Sequence, residues 1–116
     1  MSEAFGPDLP QKREVVTAIP GPKSQELAQR RKTAVSAALG AAVPIYAERA
    51  GGGVIVDVDG NSFIDLGAGI AVVNVGNSAP LVVEGIDEQA HKLIHTCFMV
   101  AGYEPYIEVC EKLNEI

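Results

Sequence analysis

The chain contains no tryptophan, and aromatic residues make up only 5% of its 116 residues. Basic residues are also scarce, with nine lysines and arginines against fifteen aspartates and glutamates, for a net charge of −6. A nucleic-acid-binding surface needs concentrated positive charge, so the composition argues against nucleic acid as a partner. No apolar run approaches the roughly 20 residues that span a bilayer, which argues against a membrane protein.

Cysteine is nearly absent as well, since Cys97 and Cys110 are the two in the chain. The N-terminal sequence has acidic residues and prolines where a secretory signal would be basic and then apolar. We therefore expect reduced thiols in a cytoplasmic protein, although two cysteines also permit one disulfide.

The length suits one modest domain preceded by an arm. Residues 1–22 hold four of the seven prolines and show no sustained periodicity. This pattern predicts an extended arm that wraps another part of the protein or stays mobile. The domain is assigned to residues 23–116, and it begins with a helix for which Ser24 is the predicted cap and Gly40 the predicted stop.

A β-rich region follows this helix. The segments "PIYAERA", "VIVDV" and "SFIDL" have strand character, and the last two flank Asp59-Gly60-Asn61. Asp-Gly tolerates the positive φ of a tight turn, so the pattern predicts a hairpin within a three-stranded antiparallel meander. The next run, "GAGIAVVNVGNSAP", is glycine-rich and apolar without a clean period, and it predicts a buried or half-buried loop.

Two further helices are predicted, one starting near Ser78 with Pro80 in its first turn and one opening at Pro105. The apolar residues at helical spacing are Val82, Val83, Ile86, Ala90, Leu93 and Ile94 in the first, and Tyr106, Val109, Cys110 and Leu113 in the second. The second apolar face is still running at Ile116, so we expect a truncated chain. The elements together predict an α+β fragment.

The stretch "DVDGNSFIDLGAGIAV" resembles two ligand-binding motifs and satisfies neither. A calcium loop counted from Asp57 needs glycine and glutamate where the chain has Ser62 and Ala68. A dinucleotide-binding loop needs a third glycine where Val72 stands, and a helix after it. Asp57 and Asp59 are therefore interpreted as parts of a hairpin and its exposed face.

The titratable residues form no complete catalytic set or metal site. His91 and His95 share a polar helix face on which we expect Asp87 to pair with His91, in preference to a zinc site. Cys97 lacks an orienting group, and Cys110 is expected to be a buried thiol. The lysines lie in the arm or on polar helix faces. The residues alone therefore identify no catalytic, metal-binding or cofactor-binding side chain.

Three segments together carry a resemblance: the hairpin "DVDGNSFIDL", the loop "GIAV" followed by Gly76, and "HTCF" with "YEPYIEVCEKLN" after it. Through them, the residues from about Ala34 to Ile116 resemble the N-terminal portion of the class III pyridoxal-phosphate aminotransferases. The hairpin and "GIAV" are typical of the class as a whole. The "HTCF…YEPY" run is similar to the branch that acts on 4-aminobutyrate.

The resemblance implies an α/β fold of fold type I, of which residues 23–116 would form part of the small domain and the start of the large one. It implies a homodimer or higher oligomer, pyridoxal 5'-phosphate as cofactor, and 4-aminobutyrate, an ω-amino acid, as amine donor. The amine would pass to 2-oxoglutarate, giving succinate semialdehyde and glutamate. In the family the Schiff-base lysine and the phosphate-binding loop lie beyond residue 116, so the chain alone is expected to be inactive.

The resemblance also implies two substrate-binding residues. Ile70 matches the isoleucine with which the family's "GIAV" loop forms a wall of the substrate pocket, and Met99 stands where a glutamine is common. The family's Gly-His-x-His-Pro is Gly-Asn-Ser-Ala-Pro at residues 76–80, so both histidines are missing.

Two alternatives remain open from the sequence. One is another class III ω-aminotransferase, of the ornithine or acetylornithine type, because the residues that would discriminate lie outside the chain. The other is a non-catalytic fragment that binds a partner through its apolar helix faces.

Overall fold

The computed structural model describes residues 9–116, so the first eight residues of the predicted arm lie outside the described residues. The elements run in the order α1 (Pro22–Ala34), β1 (Ala47–Gly51), β2 (Val54–Asp57), β3 (Ser62–Ile64), α2 (Ala68–Ala71), α3 (Pro80–Lys92) and α4 (Glu104–Asn114). The chain divides into two units, one up to Val83 and one from Glu84. Among the described residues, no helix is long and apolar enough to cross a membrane.

The three strands form an antiparallel sheet in the order β1-β2-β3, which confirms the predicted meander. Gly51 pairs with Val54 across a tight glycine turn, and Ile55 pairs with Phe63 across the predicted hairpin. Gly60 in that hairpin has a φ of 86°, the left-handed conformation that the Asp-Gly pair predicts.

The buried centre of the first unit is as polar as it is apolar. Its apolar part is Leu9 from the arm with Val54 and Val56 from one face of β2. Its polar part is Ser24, Asp57 and Asn61, each 0% exposed. The expectation that Asp57 lies on an exposed face is therefore wrong.

A hydrogen-bond network around Asn61 explains why these polar groups are buried. The Asp57 carboxylate accepts from the Asn61 backbone N–H at 2.8 Å and from the Asn61 Nδ2 at 3.0 Å. The Asn61 Oδ1 accepts from the N–H groups of Val16 and Thr17 at 2.8 and 3.0 Å. Buried polar groups are tolerated when they are paired in this way. The network attaches the arm to the hairpin.

The N-terminus of α1 is capped by a residue far away in sequence. The N-cap position is Gly21, and the two Asp59 carboxylate oxygens accept from the N–H groups of Lys23 and Ser24 at 2.7 and 2.9 Å. Gly21 is required because a Cβ at this position would clash with the Asp59 carboxylate. The predicted cap, Ser24, is wrong, since it lies inside the first turn. The expectation that Asp59 lies on an exposed face is also wrong, because its carboxylate is bound to the N-terminus of α1.

Helix α1 ends at Ala34, so the predicted stop at Gly40 is wrong. Val35 is already extended, with φ −110° and ψ 139°. Thr33 and Val35 are β-branched, and the Ser36 hydroxyl accepts from the Ala38 N–H at 3.4 Å, an alternative to helical bonding. Local side-chain competition therefore ends the helix early.

Helices α3 and α4 begin close to the predicted positions. The predicted pair on α3 is confirmed, with the His91 Nδ1 at 3.8 Å from the Asp87 Oδ1. The apolar faces are exposed within the described part of the chain, with Ile86 at 63% and Leu113 at 66%. Cys110 is also exposed, so the expected buried thiol is wrong. On this face of α4 the described aromatic contacts of Phe98 and Tyr103 reach Tyr106 and leave Cys110 uncovered.

Candidate functional site

The candidate site in the first unit is the loop of residues 65–79, which connects β3 to α3 and carries Ile70. Asp65 anchors its start: the Oδ1 accepts from the N–H groups of Gly67 and Ala68, each at 2.9 Å. The Asp65 N–H donates to the Gly53 carbonyl at 2.9 Å. The first residue of the loop is thus bound both to the loop itself and to the turn between β1 and β2.

The short element α2 (Ala68–Ala71) lies within this loop, and its backbone forms a left-handed turn that carries Ile70. Ala68, Gly69, Ile70 and Ala71 have φ values of 46°, 64°, 60° and 61°. A β-branched residue is a genuine outlier in this region, and the left-handed conformation costs about 1–2 kcal/mol for each non-glycine residue. The Ile70 side chain is 94% exposed, so the prediction of a buried or half-buried loop is wrong within the described chain. Strain combined with an exposed apolar side chain is characteristic of a functional position.

The far end of the loop is anchored to the same glycine turn. The Asn77 N–H donates to the Gly52 carbonyl at 2.8 Å, and the Gly52 N–H donates to the Asn77 carbonyl at 2.9 Å. Gly76 has a φ of 100°, and a Cβ on it would lie 3.3 Å from the Gly52 Cα. Both ends of the Ile70 loop therefore converge on the turn that joins β1 to β2.

The space between this turn and the loop is a cavity of about 380 Å³. Its lining residues are Gly52, Gly53, Asp65, Ala68, Val73, Asn74, Val75 and Gly76. Ile70 does not line it, and its side chain is exposed to solvent. The loop is therefore held at both ends and exposes several apolar side chains, of which Ile70 is the one in the strained turn.

Met99 lies in the second unit, in the segment that joins α3 to α4. The Cys97 carbonyl accepts from the N–H groups of Val100 and Ala101 at 2.9 and 3.2 Å, which forms a tight turn around Met99. The Phe98 ring packs against Tyr106 with the ring centres 4.4 Å apart. Met99 is 93% exposed. Ile70 and Met99 are thus each placed by contacts inside their own unit.

Two carboxylates outside the Ile70 loop and the Met99 turn have lowered pKa values. The pKa of Asp59 would be raised by partial burial, but the Lys23 and Ser24 N–H groups, the nearby Ser24 hydroxyl and the Lys23 charge together lower it. Among the described residues, the buried Ser24 Oγ has no hydrogen-bond partner of regular geometry. The hydrogen bond and charge of Lys92 lower the pKa of Glu88. Within residues 9–116 no three His, Cys, Asp or Glu side chains are grouped to hold a metal ion.

Three residues that bond the Ile70 loop or the glycine turn between β1 and β2 were not identified from the sequence. Asp65 had a usable local signal, because an aspartate two residues before a glycine commonly accepts from the turn that follows. Gln11 and Asn77 had none, since their partners in the glycine turn are more than twenty residues away along the chain.

Comparison with known proteins places the chain in a family. Residues 35–116 match the model of the family described as aminotransferase class III. The 4-aminobutyrate aminotransferase of Mycobacterium tuberculosis (strain H37Rv) is 54% identical over 108 residues, which cover 93% of this chain and 24% of that protein. The 5-aminovalerate aminotransferase DavT of Pseudomonas putida is 44% identical over 93 residues, covering 80% and 22%.

A relative of different activity also matches, the alanine/serine racemase of Pyrococcus horikoshii, at 38% identity over 103 residues, covering 88% of this chain and 22% of that protein. The chain spans about a quarter of the length of these relatives. Since the family model covers most of the sequence, the chain belongs to the class III aminotransferases.

Proposed function

We propose that the protein carrying this chain is a cytoplasmic transaminase of fold type I. It transfers the amino group of 4-aminobutyrate to 2-oxoglutarate, giving succinate semialdehyde and glutamate. Similarity to the mycobacterial 4-aminobutyrate aminotransferase along 93% of the chain supports this substrate. The structural observation that carries the proposal is Ile70, an exposed apolar side chain at the tip of a loop anchored at both ends.

In this proposal Ile70 binds the methylene chain of the ω-amino acid. 4-Aminobutyrate has charged groups only at its two ends. Contact between its methylene chain and an apolar side chain excludes water from both and so favours binding. A wall fixes orientation only if it does not move, and the anchors at Asp65 and Asn77 supply that rigidity. The strain at Ile70 is consistent with selection for the position of this side chain over local stability.

Met99, which lies in the second unit, is proposed separately as a substrate-binding residue. Its thioether side chain is flexible and polarisable, and it is held outward by the tight turn that starts at Cys97. Where the family commonly has glutamine, methionine removes a hydrogen-bonding group from the contact. We therefore expect Met99 to favour the methylene chain and not a polar end of the substrate.

The cofactor proposed for the whole protein, pyridoxal 5'-phosphate, does not fit the residues of this chain. It would supply the electron sink for amino-group transfer when bound. The described residues include no desolvated lysine, because Lys12, Lys23, Lys32, Lys92 and Lys112 are all exposed. The buried carboxylate of Asp57 is committed to Asn61 and the Asp59 N–H. We propose that the groups holding the cofactor lie outside this chain.

We also propose that the protein functions as a homodimer or higher oligomer. The described helices α3 and α4 expose apolar side chains, and exposed apolar faces of this kind bury themselves against another surface. Light scattering of the purified protein tests this point, and a monomer at micromolar concentration would contradict it.

The experiment that tests the function is steady-state kinetics of the intact protein with 2-oxoglutarate as acceptor. The amine donors are 4-aminobutyrate, 5-aminovalerate and ornithine. We expect turnover with 4-aminobutyrate, and we expect Ile70→Ala to raise its KM roughly tenfold with kcat nearly unchanged, because a uniform apolar contact is lost. Val72→Ala, which removes another exposed apolar side chain from the same loop at an ordinary φ of −89°, is the matched control.

The outcomes separate the alternatives. Ile70→Ala relieves the β-branched strain, so a rise in KM without loss of stability indicates substrate contact and not damage to the fold. Turnover with ornithine in place of 4-aminobutyrate would overturn the proposed substrate in favour of another class III ω-aminotransferase. Absence of turnover with every donor would favour a non-catalytic role.

A further inference from the structure

The side chain of Gln11, in the N-terminal arm, is bonded to the glycine turn between β1 and β2. Its Oε1 accepts from the Gly53 N–H at 3.0 Å, and its Nε2 donates to the Gly51 carbonyl at 3.0 Å. The Nε2 also donates to the Leu9 carbonyl at 2.8 Å. A single amide thus pairs with both a donor and an acceptor of the turn, as a neighbouring peptide group would.

The same glycine turn also bonds the Ile70 loop. The Gly53 carbonyl accepts from the first loop residue, Asp65, and Gly52 exchanges two backbone hydrogen bonds with Asn77 near the loop's end. The turn formed by Gly51, Gly52 and Gly53 is therefore hydrogen-bonded both to Gln11 and to the two anchors of the loop. All of these groups belong to the first unit of the chain.

Three consecutive glycines cannot define this geometry by themselves. Glycine has the greatest backbone freedom of any residue, so an unsupported triglycine turn samples many conformations. Gly52 is held at a φ of 57°, and a Cβ on it would lie 2.6 Å from the Gln11 Oε1. The turn is thus fitted closely around the Gln11 amide.

We propose that Gln11 is a positioning residue for the substrate wall: it fixes the glycine turn, and the turn fixes both ends of the loop that presents Ile70. The proposal rests on the function proposed above for Ile70. It adds a contribution of the N-terminal arm to substrate binding that requires no contact between Gln11 and the substrate. Gln11→Ala removes three hydrogen bonds while leaving every backbone group of the turn and loop in place.

A second variant separates hydrogen bonding from packing. Gln11→Glu keeps the size of the side chain and one acceptor, but it places a carboxylate oxygen against the Gly51 and Leu9 carbonyls, where the native group is a donor. Two acceptors facing each other repel, so we expect Gln11→Glu to be at least as disruptive as Gln11→Ala. A role in packing alone would leave Gln11→Glu close to the native protein.

The test is amide hydrogen exchange of residues 65–79 in the intact protein without substrate, followed by the kinetic assay above. Both Gln11 variants should raise exchange of this loop roughly five- to tenfold, the effect of losing about one net hydrogen bond of support. They should also raise KM for 4-aminobutyrate without lowering kcat. The control is Gln29→Ala, an exposed glutamine of α1 whose side chain contacts only Lys32 among the described hydrogen bonds.

A second pair of variants addresses the turn directly. Gly52→Ala should mimic Gln11→Ala, because of its φ and the close Gln11 Oε1, whereas Gly53→Ala has that atom at 4.0 Å and should exchange like the native protein. Unchanged exchange of residues 65–79 in Gln11→Ala and Gly52→Ala would overturn the proposal. Raised exchange with an unchanged KM, while Ile70→Ala does raise KM, would overturn the link to substrate binding. An unchanged KM in Ile70→Ala counts against the proposed function alone, since exchange is measured without substrate.

Discussion

Replacing Asn61 with alanine should loosen the arm from the sheet and lower the stability of the first unit. The Asn61 side chain is 0% exposed and makes four hydrogen bonds, to the Val16 N–H, the Thr17 N–H, the Thr17 Oγ1 and the Asp57 Oδ2. At a net value of about 0.5–1.5 kcal/mol each, they contribute about 2–6 kcal/mol. The amides of Val16 and Thr17 can turn to water, whereas Asp57 is fully buried, so we expect a loss of about 2–4 kcal/mol.

The assay is urea unfolding of the intact protein together with amide exchange at Val16 and Thr17. Asn74→Ala is the control, because Asn74 is an exposed asparagine with one described side-chain hydrogen bond, to the Ala71 carbonyl at 2.8 Å. Asn61→Asp should destabilise at least as strongly, since it replaces the donor to Asp57 with a second negative oxygen. A free energy of unfolding for Asn61→Ala within about 0.5 kcal/mol of that for Asn74→Ala, the range of ordinary surface substitutions, would contradict this expectation.

Three further predictions concern single positions. The pKa of Asp59 is lower in the folded than in the unfolded chain. The cap that Asp59 forms on α1 therefore stabilises the fold above the unfolded pKa, and this stabilisation is lost as the pH falls through the folded pKa. In urea unfolding repeated from pH 6 towards pH 3, the stability difference between the native protein and Asp59→Ala should shrink, and a difference independent of pH would contradict this prediction. Gly85→Ala should stabilise α3 by about 0.5–1 kcal/mol, since no described atom lies within 4 Å of the new Cβ. Ala90→Gly should destabilise the same helix, and calorimetry measures both changes. Gly76→Ala should destabilise by about 1–3 kcal/mol because of its φ of 100°, whereas Gly40→Ala, with open space around it, should be neutral in the same urea assay.

Features with a local cause could be predicted from the sequence. The Asp-Gly hairpin, the proline-started helices and the pair of Asp87 with His91 each depend on residues a few positions apart. The cap of α1 could not be predicted, because the Asp59 carboxylate lies 36 positions from the Lys23 N–H that donates to it. The local sequence instead favoured Ser24, which is not the cap. The burial of Asp57 had the same cause, since its partner Asn61 is itself held by the arm.

The candidate site likewise combines residues that the sequence predicts and geometry that it does not predict. Ile70 and Met99 were identified through resemblance to a family, and their contact with substrate stays a prediction. The structure adds what no local pattern could contain: the left-handed turn at residues 68–71, its two anchors and the convergence of those anchors on one glycine turn. The expectation of burial was wrong at this loop, because an apolar composition favours burial but does not specify which surface covers the loop.

The distant cap of α1 has a consequence for synthesis on the ribosome. The Lys23 amide is synthesised before Asp59 exists, and 36 residues of further translation separate this amide from its acceptor. At about 5–20 residues per second, this delay is roughly 2–7 seconds. A 13-residue helix is marginal in isolation, so the nascent segment should remain unfolded throughout that interval. We therefore expect this unit to fold in the reverse of the order in which it is made, with the hairpin forming first and the arm and α1 packing onto it afterwards.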